Sequence, residues 1–180
     1  MLKSLSNLYQ LMDDTWSKLA ASYQFQCQGC ENNCCQSLFF HHTLIEKEYL
    51  HYGFAKLAPD KKKDILKKAA DYSRKTFPAN GEIKSLKIMC PLNEKGRCLL
   101  YPFRPMICRL HGLPHEIRKS GTTPLMGKGC EAGLFDEKAY IQFDRTPFYQ
   151  SMAQLEADYR QKFKNEGKIK KTVAQMLLSQ

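Results

Sequence analysis

The chain has 180 residues and carries 28 Lys and Arg against 18 Asp and Glu, a net charge of +10. Hydrophobic residues make up 43% and charged residues 26%, the balance of an ordinary globular domain and not of a disordered chain. No apolar run reaches the ~18 residues of a membrane-spanning helix, and no membrane partner is expected. The N-terminal stretch mixes Leu with Lys3, Asp13 and Asp14 and lacks the layout of a secretory signal. The expected location is therefore the cytoplasm, where eight cysteines point to metal ligands or redox groups more than to disulfides.

Leu5, Leu8, Met12, Trp16, Leu19 and Tyr23 recur at steps of three and four, which predicts a first helix with one core-facing side. Leu44, Ile45, Tyr49, Leu50 and Phe54 predict a second helix within Thr43–Leu57. Pro59 and Asp60 open a third, since proline suits a first turn and an acid suits its positive end. Its apolar side is Ile65, Leu66, Ala69, Ala70 and Phe77, and its other side carries Lys61, Lys62, Lys63, Lys67 and Lys68. Pro78 and the Asn80-Gly81 pair stop it.

Residues 84–145 hold few helical signals. Two short apolar runs, Leu86–Cys90 and Cys98–Tyr101, flank the turn Asn93-Glu94-Lys95-Gly96 and predict a hairpin that brings Cys90 near Cys98. Pro105 starts a short helix bearing Cys108, with Arg109 and His111 beside it. Cys130 follows in a glycine-rich loop that can fold back. Thr146 as cap and Pro147 as first residue predict a long helix through Phe163, stopped at Gly167. Ile169, Val173, Met176 and Leu177 mark a short final helix. The expected architecture is mainly α: a single domain, 1–180, of packed helices. It would contain a small irregular, hairpin-bearing, cysteine-rich metal-binding region at about 23–135 and C-terminal helices at about 146–180.

The cysteines stand at 27, 30, 34, 35, 90, 98, 108 and 130, four of them within nine residues. In Cys27-x2-Cys30-x3-Cys34-Cys35 the two-residue spacer lets two thiolates of one turn face one metal. Gln28-Gly29 and Asn32-Asn33 suit tight turns, with N–H groups able to reach thiolate sulfur. Adjacent Cys34 and Cys35 suit two metals, or one ligand and one packing role. A lone buried cysteine is often a small hydrophobe, but that does not account for eight.

The segment from Cys90 through Cys98, Tyr101-Pro-Phe-Arg104-Pro105 and Cys108-Arg109, together with the first cluster, resembles the CxxCxxCC proteins. These are cysteine-cluster proteins described as zinc- or iron-chelating, whose relatives include flagellin lysine N-methylases. The resemblance covers residues 23–135 and departs in one place: three residues, Glu31-Asn32-Asn33, separate Cys30 from Cys34. It implies a metal site and maps the family's eight cysteines onto Cys27, Cys30, Cys34, Cys35, Cys90, Cys98, Cys108 and Cys130. It implies no single reaction.

Eight thiolates allow two four-cysteine zinc sites or an iron–sulfur cluster. The second half lacks a further CxxC, which favours a bulkier iron–sulfur cluster over tetrahedral zinc. The expected role is redox, sensing or structural. The alternatives are a metal-dependent protein-modifying enzyme resembling the lysine N-methylases, and a zinc-held module binding nucleic acid or protein. Among the histidines, His111 leads His41 and His42 as a further ligand, but eight thiolates already suffice. Arg104 and Arg109 would offset thiolate charge, or else pair with a carboxylate such as Glu116 or Glu131. The lysines at 61–63, 67–68, 162, 164, 168, 170 and 171 attract phosphate in principle. They oppose apolar stripes, however, which makes them a solvated face. No nucleophile elbow, dinucleotide fingerprint or P-loop is present, and no methyl-donor site can be placed.

Overall fold

The computed structural model describes residues 1–26, 34–78 (for Cys34, its backbone), 81, 83, 87–130 and 133–179. In chain order the helices are α1 (Leu2–Ser22), α2 (Leu44–Ala55), α3 (Pro59–Thr76), α4 (Met106–Leu110), α5 (Thr146–Phe163) and α6 (Val173–Leu178). Two hairpins, β1 (Asn93–Glu94) with β2 (Arg97–Cys98) and β3 (His115–Ile117) with β4 (Leu125–Gly127), add the only strands among the described residues. Short 3-10 turns cover Cys34–Gln36 and Tyr101–Phe103. The fold is mainly α. None of the described helices is long and apolar enough to cross a membrane.

The chain divides into two compact units, Met1–Cys34 with Met106–Asn165, and Cys35–Pro105 with Glu166–Gln180. The first unit forms because α1 buries one stripe, Leu5, Leu8, Tyr9, Met12 and Ala20, against α4 and α5. Trp16 meets Phe25 at 6.1 Å, and Phe25 and Tyr23 meet Phe135 at 5.0 and 5.1 Å. Tyr23 accepts at its hydroxyl from Ile141 N–H (2.7 Å). These contacts anchor the chain just ahead of the first cysteine segment. α5 runs through Phe163, as the apolar spacing predicts, and Lys164 in the left-handed conformation (φ 49°) stops it in place of Gly167. At the other end Thr146 is the first helical residue and Arg145 the cap. The Thr146 hydroxyl is drawn off to accept from Arg118 N–H (2.7 Å).

In the second unit α2, α3 and α6 enclose Leu50, Ile65, Leu92, Leu100, Val173, Met176 and Leu177. Pro59 opens α3, as its fixed φ and absent N–H suit a first turn. Its buried side is Ile65, Ala69, Tyr72 and Thr76, whereas Ala70, expected there, is exposed. Thr172 caps α6 through a reciprocal pair with Gln175, which ties down two otherwise unpaired amides. Gly53 of α2 lies flat under the Phe103 ring, where a Cβ would stand 2.3 Å from the ring carbon.

A hairpin stands where one is predicted, but it is displaced: Asn93 and Glu94, expected in the turn, form its first strand, and Cys90 and residues 99–101, expected in its strands, lie outside it. Its ladder pairs Asn93 with Cys98 and Glu94 with Arg97, and Lys61 of α3 pins it through Glu94 at 2.5 Å. Leu86 and Asn80 lie outside the described residues. The second hairpin, β3–β4, was not foreseen. It is backed by the 143–145 segment: Glu116 N–H donates to Phe143 carbonyl and Arg145 N–H to Glu116 carbonyl, both at 2.9 Å.

Candidate metal centre

Cys27 and Cys30 lie outside the described residues, as do the side chain of Cys34 and the turns Gln28-Gly29 and Asn32-Asn33. The other five predicted ligands, Cys35, Cys90, Cys98, Cys108 and Cys130, are all partly buried. Three of them fall in the second unit and two in the first.

In the second unit the amide of Cys90 donates to the carbonyl of Cys35 at 2.8 Å, and Asn93 N–H returns to the Cys90 carbonyl at 2.9 Å. Cys98 closes the hairpin opposite Asn93. Cys90 and Cys98 both lean on the Leu50–Ile65–Met176 core. Burial pushes the Cys90 thiol up to about 12, and the neighbouring Cys98 and Cys35 push it the same way. Low dielectric penalises an isolated thiolate, and further sulfur charge nearby adds to that penalty. A thiophilic cation reverses both effects. The expected approach of Cys90 to Cys98 is thus met at the level of neighbourhood. Nevertheless, no group of three or more His, Cys, Asp and Glu side chains among the described residues stands as metal ligands do.

In the first unit α4 carries Cys108, as the Pro105 signal predicted. The loop of Cys130 folds back: its N–H donates to Gly112 carbonyl at 3.0 Å, just past the helix. Gly129 makes this return possible. It sits at φ +89°, and a Cβ there would meet Pro114 nitrogen at 2.7 Å, so no side chain fits.

The arginines behave differently from the sequence reading. Arg109 is buried and pairs with Asp13 of α1, with its guanidinium 4.0 Å from the centre of the Tyr9 ring. The acid was expected from Glu116 or Glu131. Glu116 instead accepts from Arg118 and Gln142, and Glu131 lies outside the described residues. Arg104 stacks on Tyr101 at 3.6 Å. His41 is buried, not at the surface. Its backbone pairs with Lys171 in both directions (2.7 and 3.0 Å), and burial lowers its ring pKa. His111 contributes its carbonyl to Trp16. His115, not singled out from the sequence, is held down to about 4 by burial and by the Arg145 charge.

The lysine face of α3 is largely exposed, with Lys68 and Lys75 bridged to Asp64 and Asp71 at 2.7 Å, as a solvated face requires. Soft thiol donors in this number suit zinc or an iron–sulfur cluster. No protein family, no curated protein and no solved structure matches the chain.

Proposed function

We infer that the protein is a cysteine-ligated metalloprotein, with Cys27, Cys30, Cys34, Cys35, Cys90, Cys98, Cys108 and Cys130 as the ligand set. The observation that carries the reading is the hydrogen bond from Cys90 to Cys35, which draws two cysteine-bearing segments of distant sequence into one neighbourhood. The Cys90 thiol, costly to ionise alone, is the kind of group that a soft cation stabilises. The absence of a second CxxC favours an iron–sulfur cluster over zinc. The role is redox, sensing or structural, and the site lies in a cytoplasmic protein. A protein-modifying activity resembling the lysine N-methylases would act through the same centre.

The test is metal and acid-labile sulfide per chain on protein purified without oxygen. Iron with matching sulfide supports the cluster. Zinc without sulfide keeps the ligand set and makes it structural. Protein that holds neither metal, before or after reconstitution with ferrous iron and sulfide or with zinc, overturns the reading.

A further inference from the structure

Four successive carbonyls, from the last residue of α4 onward, each accept a hydrogen bond from another part of the first unit. Leu110 and Leu113 accept from Nη2 of Arg145, the second at 3.2 Å. His111 accepts from the Trp16 indole N–H at 2.9 Å. Gly112 accepts from Cys130 N–H at 3.0 Å. Leu113 also receives Nδ1 of His115 at 3.2 Å. The donors come from α1, the loop after β4, the residue before α5, and β3. The carbonyls at a helix end ordinarily turn to water or to a local cap, and here all four are taken up by distant donors.

The arrangement is costly. Arg145 is only 4% exposed and makes no ion pair among the described residues. Its Nε has no hydrogen-bond partner. Burial lowers its pKa to about 10, since carbonyl dipoles replace water less well than a carboxylate does. What the arrangement achieves is placement. The turn begins where the helix of Cys108 ends, and its Gly112 holds Cys130. Gly129 leaves no slack between them.

The geometry points to Arg145 and Trp16 as positioning residues that hold Cys108 and Cys130 as a ready-set ligand pair for a thiophilic divalent cation. This rests on the cysteine-metal reading above and adds to it which pair is set before the metal arrives and what sets it. Neither residue touches the metal; both act through the carbonyls of residues 110–113, as partners behind a ligand commonly do.

The chain holds one tryptophan, so its emission reports this turn. The full chain, stripped of metal by chelator and kept reduced, is titrated with zinc chloride. The Trp16 emission is expected to change in step with zinc binding, and Cys108→Ser or Cys130→Ser is expected to abolish the change. By competition against a coloured chelator, Arg145→Lys and Trp16→Phe are each expected to bind zinc about tenfold more weakly or worse. Leu5→Val, which loosens the core of the same unit at a fully buried position about three helical turns along α1 from Trp16, is expected to keep wild-type affinity and so separates positioning from general loss of stability. Should Arg145→Lys fail to fold, Trp16→Phe alone carries the comparison. Zinc bound with unchanged emission, or at wild-type affinity in the folded variants, overturns the inference while the metal reading stands. A wild-type chain that binds no zinc and no iron overturns both.

Discussion

The amide of Cys90 points at the carbonyl of Cys35 over 2.8 Å, so the end of the first cysteine cluster and the start of the second are stitched by backbone, whatever their sulfurs do. The stitch is made by main-chain atoms alone. It also holds the partly buried Cys90 against the neighbouring core. A residue whose N–H is bound to one segment and whose carbonyl is bound to Asn93 is drawn into the Leu50–Ile65 core beside it.

The buried Cys90 thiol sets a pH signature. With its pKa raised from 9.0 to about 12, it keeps its proton at neutral pH, and a metal must displace that proton to bind. Zinc affinity should therefore rise with pH, by about one log unit per pH unit for each proton released. Release is measured directly by isothermal titration in buffers of different ionisation enthalpy. In the metal-free chain the same shift stabilises the fold below pH 9 and is lost as pH rises toward 12. Cys90→Ala should flatten that alkaline decline in a denaturant series.

His115 sets the opposite limb. Its folded pKa lies below its unfolded one, near 4 against 6.5. Its contribution to stability is thus full above about pH 6.5 and falls away as pH drops toward 4, because the unfolded chain binds the proton first. Unfolding midpoints of the metal-free chain across that window should slope downward toward acid, and His115→Gln should reduce the slope.

Gly129 tolerates no side chain. Gly129→Ala meets both a left-handed backbone and the Pro114 nitrogen at 2.7 Å. It should cost about 1–3 kcal/mol for the conformation alone, with the clash added. Equilibrium unfolding in urea gives the number, and an unchanged midpoint would mean the Cys130 loop is seated otherwise.

Removing the acid beneath Arg109 should be nearly as damaging. Asp13→Asn removes the carboxylate charge from a buried guanidinium that also lies over the Tyr9 ring. Breaking a buried pair costs about 3–5 kcal/mol. Asp13 is 29% exposed, so the lower part of that range is expected, read from urea unfolding. Arg109→Met together with Asp13→Asn should recover part of the loss.

At α6 the capping box makes a narrower claim. Thr172→Ala removes the hydroxyl that receives Gln175 N–H and should cost about 1 kcal/mol, in the second unit. Thr172→Ser should restore most of it, and thermal unfolding distinguishes the two.

The helices were readable because their signals are local. Pro59 and the three-and-four spacing of Leu5, Leu8 and Met12 state their own case. Boundaries shifted where a side chain was engaged from outside: Thr146 is claimed by Arg118, so Arg145 takes the cap position. The β3–β4 hairpin was missed because its strands are three residues each, too short to alternate visibly, and because its support comes from residues 143–145. For the same reason Asp13 could not be named as the partner of Arg109. Ninety-six positions separate them, and only packing of α1 on α4 brings them together. Of the candidate centre, the identity and order of the cysteines were legible. The saturated turn at 110–113 was not, as three segments distant in sequence, at Trp16, Cys130 and Arg145, supply its donors.

The second unit takes its core from two stretches of chain, and α6 supplies Val173, Met176 and Leu177 to it. A ribosome delivers Leu50 and Ile65 long before those residues emerge. The nascent chain must therefore carry that apolar surface uncovered while the whole stretch of the first unit between Met106 and Asn165 is made. The unit that begins later in synthesis is completed by the final helix that Thr172 caps. Thus the last chain of the first unit is made before the second unit has received the helix that covers its core.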